Sequence, residues 1–195
     1  MGRSRPSLLN APNAVTLLRV LLLPAFICAF RAGGKTGLFV ALALALFFEL
    51  TDTLDGAVAR RFSAVSDLGK LLDPLADTLT RFTIFLTFLA SGLVPLWMVV
   101  LLFFRDMTVA YIRVGAAVRG VVLAARASGK IKAVFQGAGI FAVLAVLLAR
   151  EYGYEPFPHR DAVWWIMLAV TLVTLWSLYD YARAFLSMPE AGRKT

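Results

Sequence analysis

Four aspartates in this 195-residue chain stand at spacings suited to metal chemistry. Asp52 and Asp55 are three residues apart, and Asp73 and Asp77 are four apart. On a helix such spacings share a face, so each pair presents two carboxylates side by side. Unneutralised, like-charged carboxylates repel and take up protons; a hard divalent cation holds them better. Between residues 49 and 77 carboxylates outnumber bases, which argues against the competing reading of Asp–Arg salt bridges. Oxygen-only ligation selects Mg²⁺, Mn²⁺ or Ca²⁺. With His159 and Cys28 the single residues of their types, an ordinary zinc cluster is ruled out. Mg²⁺ typically joins a few carboxylates to substrate phosphates, so the expected substrate carries a phosphate or pyrophosphate.

The elements that must position these acids are membrane helices. The chain is 60% apolar and 16% charged, with a mean hydropathy of +0.78. Roughly 20 apolar residues span a bilayer, and the apolar total suffices for about six spans. Breakers and charges divide the sequence into apolar segments at Ala14–Phe30, Thr36–Val58, Pro74–Ala90, Val94–Val118, Ala133–Ala149 and Ala162–Phe185. Polar connections fall at Arg31–Lys35, Arg60–Leu72, Ser91–Gly92, Arg119–Lys132 and around Pro156 and Pro158. The expected fold is an all-α polytopic membrane protein of six transmembrane helices in a single domain over 1–195. A short segment 1–13 precedes spans over about 14–187, and a tail 188–195 follows. The first apolar stretch carries Arg19 and has no small-residue cleavage site, so a cleavable signal peptide is not expected.

The net charge of +8 reads differently in a membrane protein than in a soluble one. Most of the basic residues fall on one side of a six-span serpentine, which puts both termini in the cytoplasm and gives no reason to expect nucleic acid as a partner. Charges also enter the spans themselves: Arg19, Glu49, Asp52, Asp55, Asp77, Arg81, Arg105, Asp106, Arg113, Asp180 and Arg183. Arg105 is the deepest, about 20 Å along the helix from Arg119. Facing lipid there would cost several kcal/mol, so these side chains must face one another or water. Their entry from one side implies a polar cavity open to the cytoplasm. Pairing of Arg105 with Asp106 or Glu49 is the plainer alternative, and for Lys130 and Lys132 ordinary cytoplasmic-loop charge is another.

Asp52-x-x-Asp55-Gly56-x-x-Ala59-Arg60, followed after eight residues by Gly69-x-x-x-Asp73-x-x-x-Asp77, resembles the signature of the CDP-alcohol phosphatidyltransferase family at every defined position. The rest of the chain resembles the branch of that family that makes phosphatidylglycerophosphate. Pro12, Asn13, Thr16 and Arg19 stand in the register of its opening block, and Gly69, Lys70, Asp73, Pro74, Ala76 and Asp77 in that of its second. Gly92, Pro95 and Trp97 match a turn, Arg105, Asp106 and Arg113 a charged block, and Gly129, Lys130, Lys132, Ala133 and Gln136 the last. The chain departs from that branch at Thr78, Asp106 and Ala133, where Lys, Glu and Thr are usual.

The resemblance implies displacement of CMP from CDP-diacylglycerol by an alcohol, in a homodimeric enzyme of the bacterial inner membrane. It implies Mg²⁺ or Mn²⁺, two ions, held by Asp52, Asp55, Asp73 and Asp77, with Asp77 as general base. It assigns CDP binding to Asp52, Gly56, Ala59, Arg60 and Gly69, with Asn13, Arg19 and Lys70 in support. Arg105, Arg113, Lys130 and Lys132 supply more cationic groups than a neutral alcohol requires, so the expected acceptor is a phosphorylated polyol, glycerol-3-phosphate or else inositol phosphate. A cation transporter is the non-enzyme alternative, but its carboxylates would sit near the midplane, within inverted repeats that this sequence does not show. His159 reads as a solvated loop residue, Trp164, Trp165 and Trp176 as interfacial aromatics, and Gly137 and Gly139 as sites of close helix packing.

Overall fold

The computed structural model describes residues 11–62, 69–121, 123–124 and 126–187, with side chains from 16 to 51 and from 75 onward within those ranges. Among the described residues the secondary structure is entirely helical: α1 (Ala11–Leu21), α2 (Leu23–Ala32), α3 (Gly34–Phe62), α4 (Gly69–Ala90), α5 (Leu96–Val118), α6 (Ala127–Glu151) and α7 (His159–Leu186). The apolar segments of the sequence therefore become helices that run several residues into their polar flanks.

Two sequence expectations need correction. The first apolar segment is not one helix, because α1 and α2 meet at Leu22, with Pro24 in the first turn of α2. Proline has no N–H to donate to the preceding turn, and its ring crowds the carbonyl there, so a helix entering it bends or breaks. The Arg119–Lys132 connection is also shorter than expected, since α6 begins at Ala127 and makes both Lys130 and Lys132 helical.

The chain divides into two compact units: residues 1–88 with 147–154, and residues 89–146 with 155–195. In the first, α3 packs against α1 and α2. The buried residues Leu38, Ala41, Ala45 and Phe48 recur every three or four positions, so one stripe of α3 faces inward. A chain of aromatic contacts closes this core: Phe26 lies 6.4 Å from Phe48, and Phe30 lies 5.3 Å from Phe88.

In the second unit α5 packs on α7. Directions follow from pairs of contacts. Arg105 bonds Ser177 and Arg113 bonds Tyr181, so α5 and α7 run the same way. Gly129 approaches Tyr181, Gln136 bonds Thr174, and Gly139 approaches Val170, so each step up α6 is a step down α7. At Gly139 a Cβ would lie 2.5 Å from Val170 Cγ2, which is why this crossing needs a residue without a side chain. After α5, Gly120 adopts φ +74, a left-handed conformation that ends the helix without steric cost.

Three helical segments are long and apolar enough to cross a membrane among the described residues: Gly34–Thr51, Ala127–Glu151 and His159–Leu186. The 23-residue α5 has sufficient length but carries Arg105, Asp106 and Arg113.

Candidate active site

The acids of the first unit sit on α3 and α4. Asp52, Asp55, Gly56, Ala59 and Arg60 fall within α3, and Gly69, Lys70, Asp73 and Asp77 within α4, so the helical spacing assumed for both carboxylate pairs holds along the backbone. The side chains of residues 52–60, 69, 70 and 73, like that of Asn13, lie outside the described residues. Asp77 is described. Arg19, 2% exposed on α1, donates through Nη1 to Asp77 Oδ1 at 2.6 Å. One turn along α4, Arg81 donates to Glu49 Oε1 at 3.1 Å. The ion-pair alternative is therefore realised for Asp77, whose carboxylate is fixed by Arg19. As a donor set the four aspartates suit a hard divalent cation, since every donor is a carboxylate oxygen.

The basic residues of the second unit have a clear internal order. Along α5 the buried positions Met98, Leu102, Arg105 and Val109 follow one helical stripe, so helical phase alone carries the Arg105 side chain inward. There Arg105 Nη1 donates to Asp106 Oδ1 at 2.8 Å, and Nη2 donates to Ser177 Oγ at 2.6 Å. Lys132 Nζ reaches both oxygens of the same Asp106, at 2.8 and 3.0 Å. One carboxylate thus serves two cations, Arg105 at 6% and Lys132 at 8% exposure. The pairing of Arg105 with Asp106 is as anticipated; Glu49 pairs instead with Arg81.

The four expected acceptor residues are not all brought together. Arg113 donates through Nη2 to the phenol oxygen of Tyr181 at 2.9 Å and has no carboxylate partner among the described residues. Lys130 is exposed and is two positions from Lys132, which on a helix places them on different faces. In this unit the buried Arg105 Nε and Gln136 Oε1 have no hydrogen-bond partner among the described residues. Unsatisfied donors and acceptors of this kind are costly unless a ligand or water meets them.

Sequence reading missed the α7 side of this cluster. Thr171, Thr174, Ser177 and Tyr181 are all buried and recur every three or four residues, so they form one polar stripe facing α5 and α6. Their periodicity was visible in the sequence, but a hydroxyl stripe in an apolar helix carries no sign of what it binds. Nearby, Asp180 accepts from Arg126 Nε at 2.7 Å and from Ser128 Oγ at 2.5 Å, tying the start of α6 to α7. The Arg126 guanidinium, outside the helices, is held further toward its protonated form by its hydrogen bond to Asp180. His159 is not simply solvated: its backbone N–H and its ring Nδ1 both meet Glu155 Oε1, at 2.9 and 2.7 Å, so Glu155 caps α7.

Among the described residues, a helical fold with paired aspartates on α3 and α4, and basic residues of α5 and α6 held against hydroxyls of α7, defines a class. A family model described as CDP-alcohol phosphatidyltransferase matches residues 9–176, and the chain belongs to that family. It is an integral membrane protein and a phosphatidyltransferase. Among curated relatives, a Bacillus subtilis CDP-diacylglycerol–glycerol-3-phosphate 3-phosphatidyltransferase is 35% identical over 184 residues, covering 88% of this chain and 94% of that one. A probable phosphatidylglycerophosphate synthase of Mycobacterium tuberculosis is 31% identical over 187 residues, covering 94% and 84%. The fold is shared with a solved phosphatidylinositol phosphate synthase of M. tuberculosis with CDP-DAG bound, at TM-score 0.64 and 18% identity, covering 95% of this chain and 92% of that one. A second structure of that synthase, in complex with manganese and citrate, gives TM-score 0.62 at 19% identity, covering 95% and 87%.

Proposed function

We propose that the protein transfers a phosphatidyl group from CDP-diacylglycerol to glycerol-3-phosphate, yielding phosphatidylglycerophosphate and CMP. The observation that carries the acceptor is the basic cluster of the second unit. Arg105 and Lys132 share Asp106, while Arg113 is bonded to a phenol. Two buried cations thus share one carboxylate, with the exposed Arg113 beside them, and this excess of positive charge suits a phosphate dianion rather than a neutral alcohol. The names of the near-full-length relatives support glycerol-3-phosphate over inositol phosphate.

Asp52, Asp55, Asp73 and Asp77 would hold Mg²⁺ or Mn²⁺, two ions in this reading. Such a metal, when bound, neutralises the pyrophosphate and stabilises charge on the departing CMP. The manganese complex of a fold relative supports this choice of metal. Asp52, Gly56, Ala59, Arg60 and Gly69 would line the CDP moiety, with Asn13, Arg19 and Lys70 in support. The acceptor's hydroxyl oxygen forms the new bond to the phosphatidyl phosphorus as the bond to CMP breaks. Asp77 takes the hydroxyl proton, its carboxylate held in place by the hydrogen bond from Arg19. Arg105, Arg113 and Lys132 hold the acceptor's phosphate. Lys130, exposed on another face of α6, attracts the anion rather than gripping it.

In this reading the chain is one catalytic domain over 1–195, with six spans, both termini cytoplasmic and the charged residues opening on the cytoplasmic side. It acts as a homodimer in the bacterial inner membrane. Purified protein supplied with CDP-diacylglycerol and Mn²⁺ or Mg²⁺ should release CMP on addition of glycerol-3-phosphate. Release with inositol phosphate alone would refute the acceptor assignment, and no release with any acceptor would refute the reaction.

A further inference from the structure

Among the described residues Tyr181 is the largest fully buried side chain, yet two arginines and a backbone N–H meet it. The guanidinium carbons of Arg105 and Arg113 lie 5.5 and 5.4 Å from its ring centroid, both within range of a cation–π attraction. Its phenol oxygen accepts from Arg113 Nη2 at 2.9 Å and from the backbone N–H of Arg126 at 3.0 Å. One turn earlier on the same stripe, Ser177 accepts from Arg105. Two arginines that the family pattern places eight positions apart on α5 are therefore both steadied by one ring on α7.

The tolerance around the phenol is tight. A Cβ at Gly129 would stand 2.9 Å from the Tyr181 hydroxyl, so the glycine that opens the last sequence block makes room for this phenol. The bond from Arg126 N ties the same hydroxyl to the connection leading into α6, the helix that carries Lys132.

We propose that Tyr181 is a positioning residue for the acceptor: its ring and hydroxyl set the Arg105 and Arg113 guanidiniums in the orientation that receives the acceptor's phosphate. The inference rests on the acceptor reading given above. Two free guanidiniums on flexible stems would repel each other and lose rotamer freedom on gripping an anion. A shared electron-rich face and a hydroxyl acceptor hold them in advance, so less ordering is left for the binding step.

The test compares Tyr181→Phe, Gly129→Ala, Arg113→Ala and the Tyr181→Phe/Arg113→Ala double variant in detergent micelles, measuring KM for glycerol-3-phosphate and for CDP-diacylglycerol separately. Tyr181→Phe keeps the ring and volume while deleting the hydroxyl. Losing a hydrogen bond to a charged group corresponds to roughly tenfold or more in an equilibrium. The expected result is a KM for glycerol-3-phosphate raised about tenfold or more, with that for CDP-diacylglycerol changed less than about twofold. Gly129→Ala, which displaces the phenol without touching either arginine, should shift the same constant in the same direction. Because Tyr181 acts through Arg113, the double variant should be no worse than Arg113→Ala alone. An unchanged acceptor KM in Tyr181→Phe, an equal rise in both constants, or additive losses in the double variant would overturn the proposal. If Arg113→Ala itself left the acceptor KM unchanged, the acceptor reading beneath it would fall as well.

Discussion

Replacing Asp106 with Asn distinguishes a structural ion-pair cluster from a site that waits for an anion. In the structure Asp106 neutralises two buried cations at once, receiving Arg105 Nη1 at 2.8 Å and Lys132 Nζ at 2.8 and 3.0 Å, with its side chain 19% exposed. Breaking a buried pair by removing one partner's charge costs about 3–5 kcal/mol. The shape-conserving amide retains one acceptor oxygen, so the lower end applies. About 3 kcal/mol lowers the melting midpoint of a chain of this size by about 6–12 °C. The same change removes the carboxylate charge that Arg105 and Lys132 share, which a bound anion can replace. Suppose wild type is held at ten times its Kd in glycerol-3-phosphate, gaining about 1.4 kcal/mol, and the variant binds tenfold more tightly. The variant then gains about 2.7 kcal/mol, about 1.3 kcal/mol more than wild type, which closes a little under half of the gap between the two proteins. The assay is the midpoint of thermal unfolding in detergent, with and without glycerol-3-phosphate, for both proteins. The expected result is a lower midpoint for Asp106→Asn alone and a larger ligand-induced rise. If the variant is destabilised but the ligand protects it no more than wild type, Arg105 and Lys132 are a structural pair and not an anion site.

Further outcomes follow from the same geometry. Asp77→Asn should abolish CMP release, with the melting midpoint lowered as the Arg19 ion pair is lost; substantial residual turnover would show that another group takes the proton. Lys132→Ala should raise the KM for glycerol-3-phosphate by tenfold or more, whereas Lys130→Ala, exposed on another face, should change it by less than about threefold at moderate salt; equal effects would contradict the separation of the two lysines on α6. Gly139→Ala should lower stability by about 1–3 kcal/mol through overpacking, because its Cβ would meet Val170 Cγ2 at 2.5 Å. An unchanged unfolding midpoint in that variant would show that α6 and α7 can separate at no cost. Stripping divalent metal with a chelator should abolish activity, and Mn²⁺ or Mg²⁺ should restore it; undiminished turnover in the chelated protein would remove the metal from the mechanism.

Several of these features were legible before any fold was known, because they depend on local spacing. The carboxylate pairs at 52/55 and 73/77 read as shared helical faces, and α3 and α4 are helical across both. Apolar segments read as helices for the same reason. The interruption at Leu22 was also present in the sequence as Pro24, but within an unbroken apolar run it carried no weight against hydrophobicity. The start of α6 at Ala127 was obscured because Lys130 and Lys132 resemble loop charge until the helix that carries them is seen.

What the sequence by itself determined is the inventory: which acids and bases exist, which neighbours along the chain share a face, and the family signature they compose. Tertiary structure alone decided who meets whom across the chain. Arg105 and Arg113 find Ser177 and Tyr181 at separations of 72 and 68 residues, and Asp106 finds Lys132 across 26. No local pattern encodes such pairs. They arise because α5 and α7 run parallel with α6 antiparallel to both, which stacks the polar end of each helix beside the others and gathers scattered charges into one cluster, with Arg105 and Lys132 buried in it.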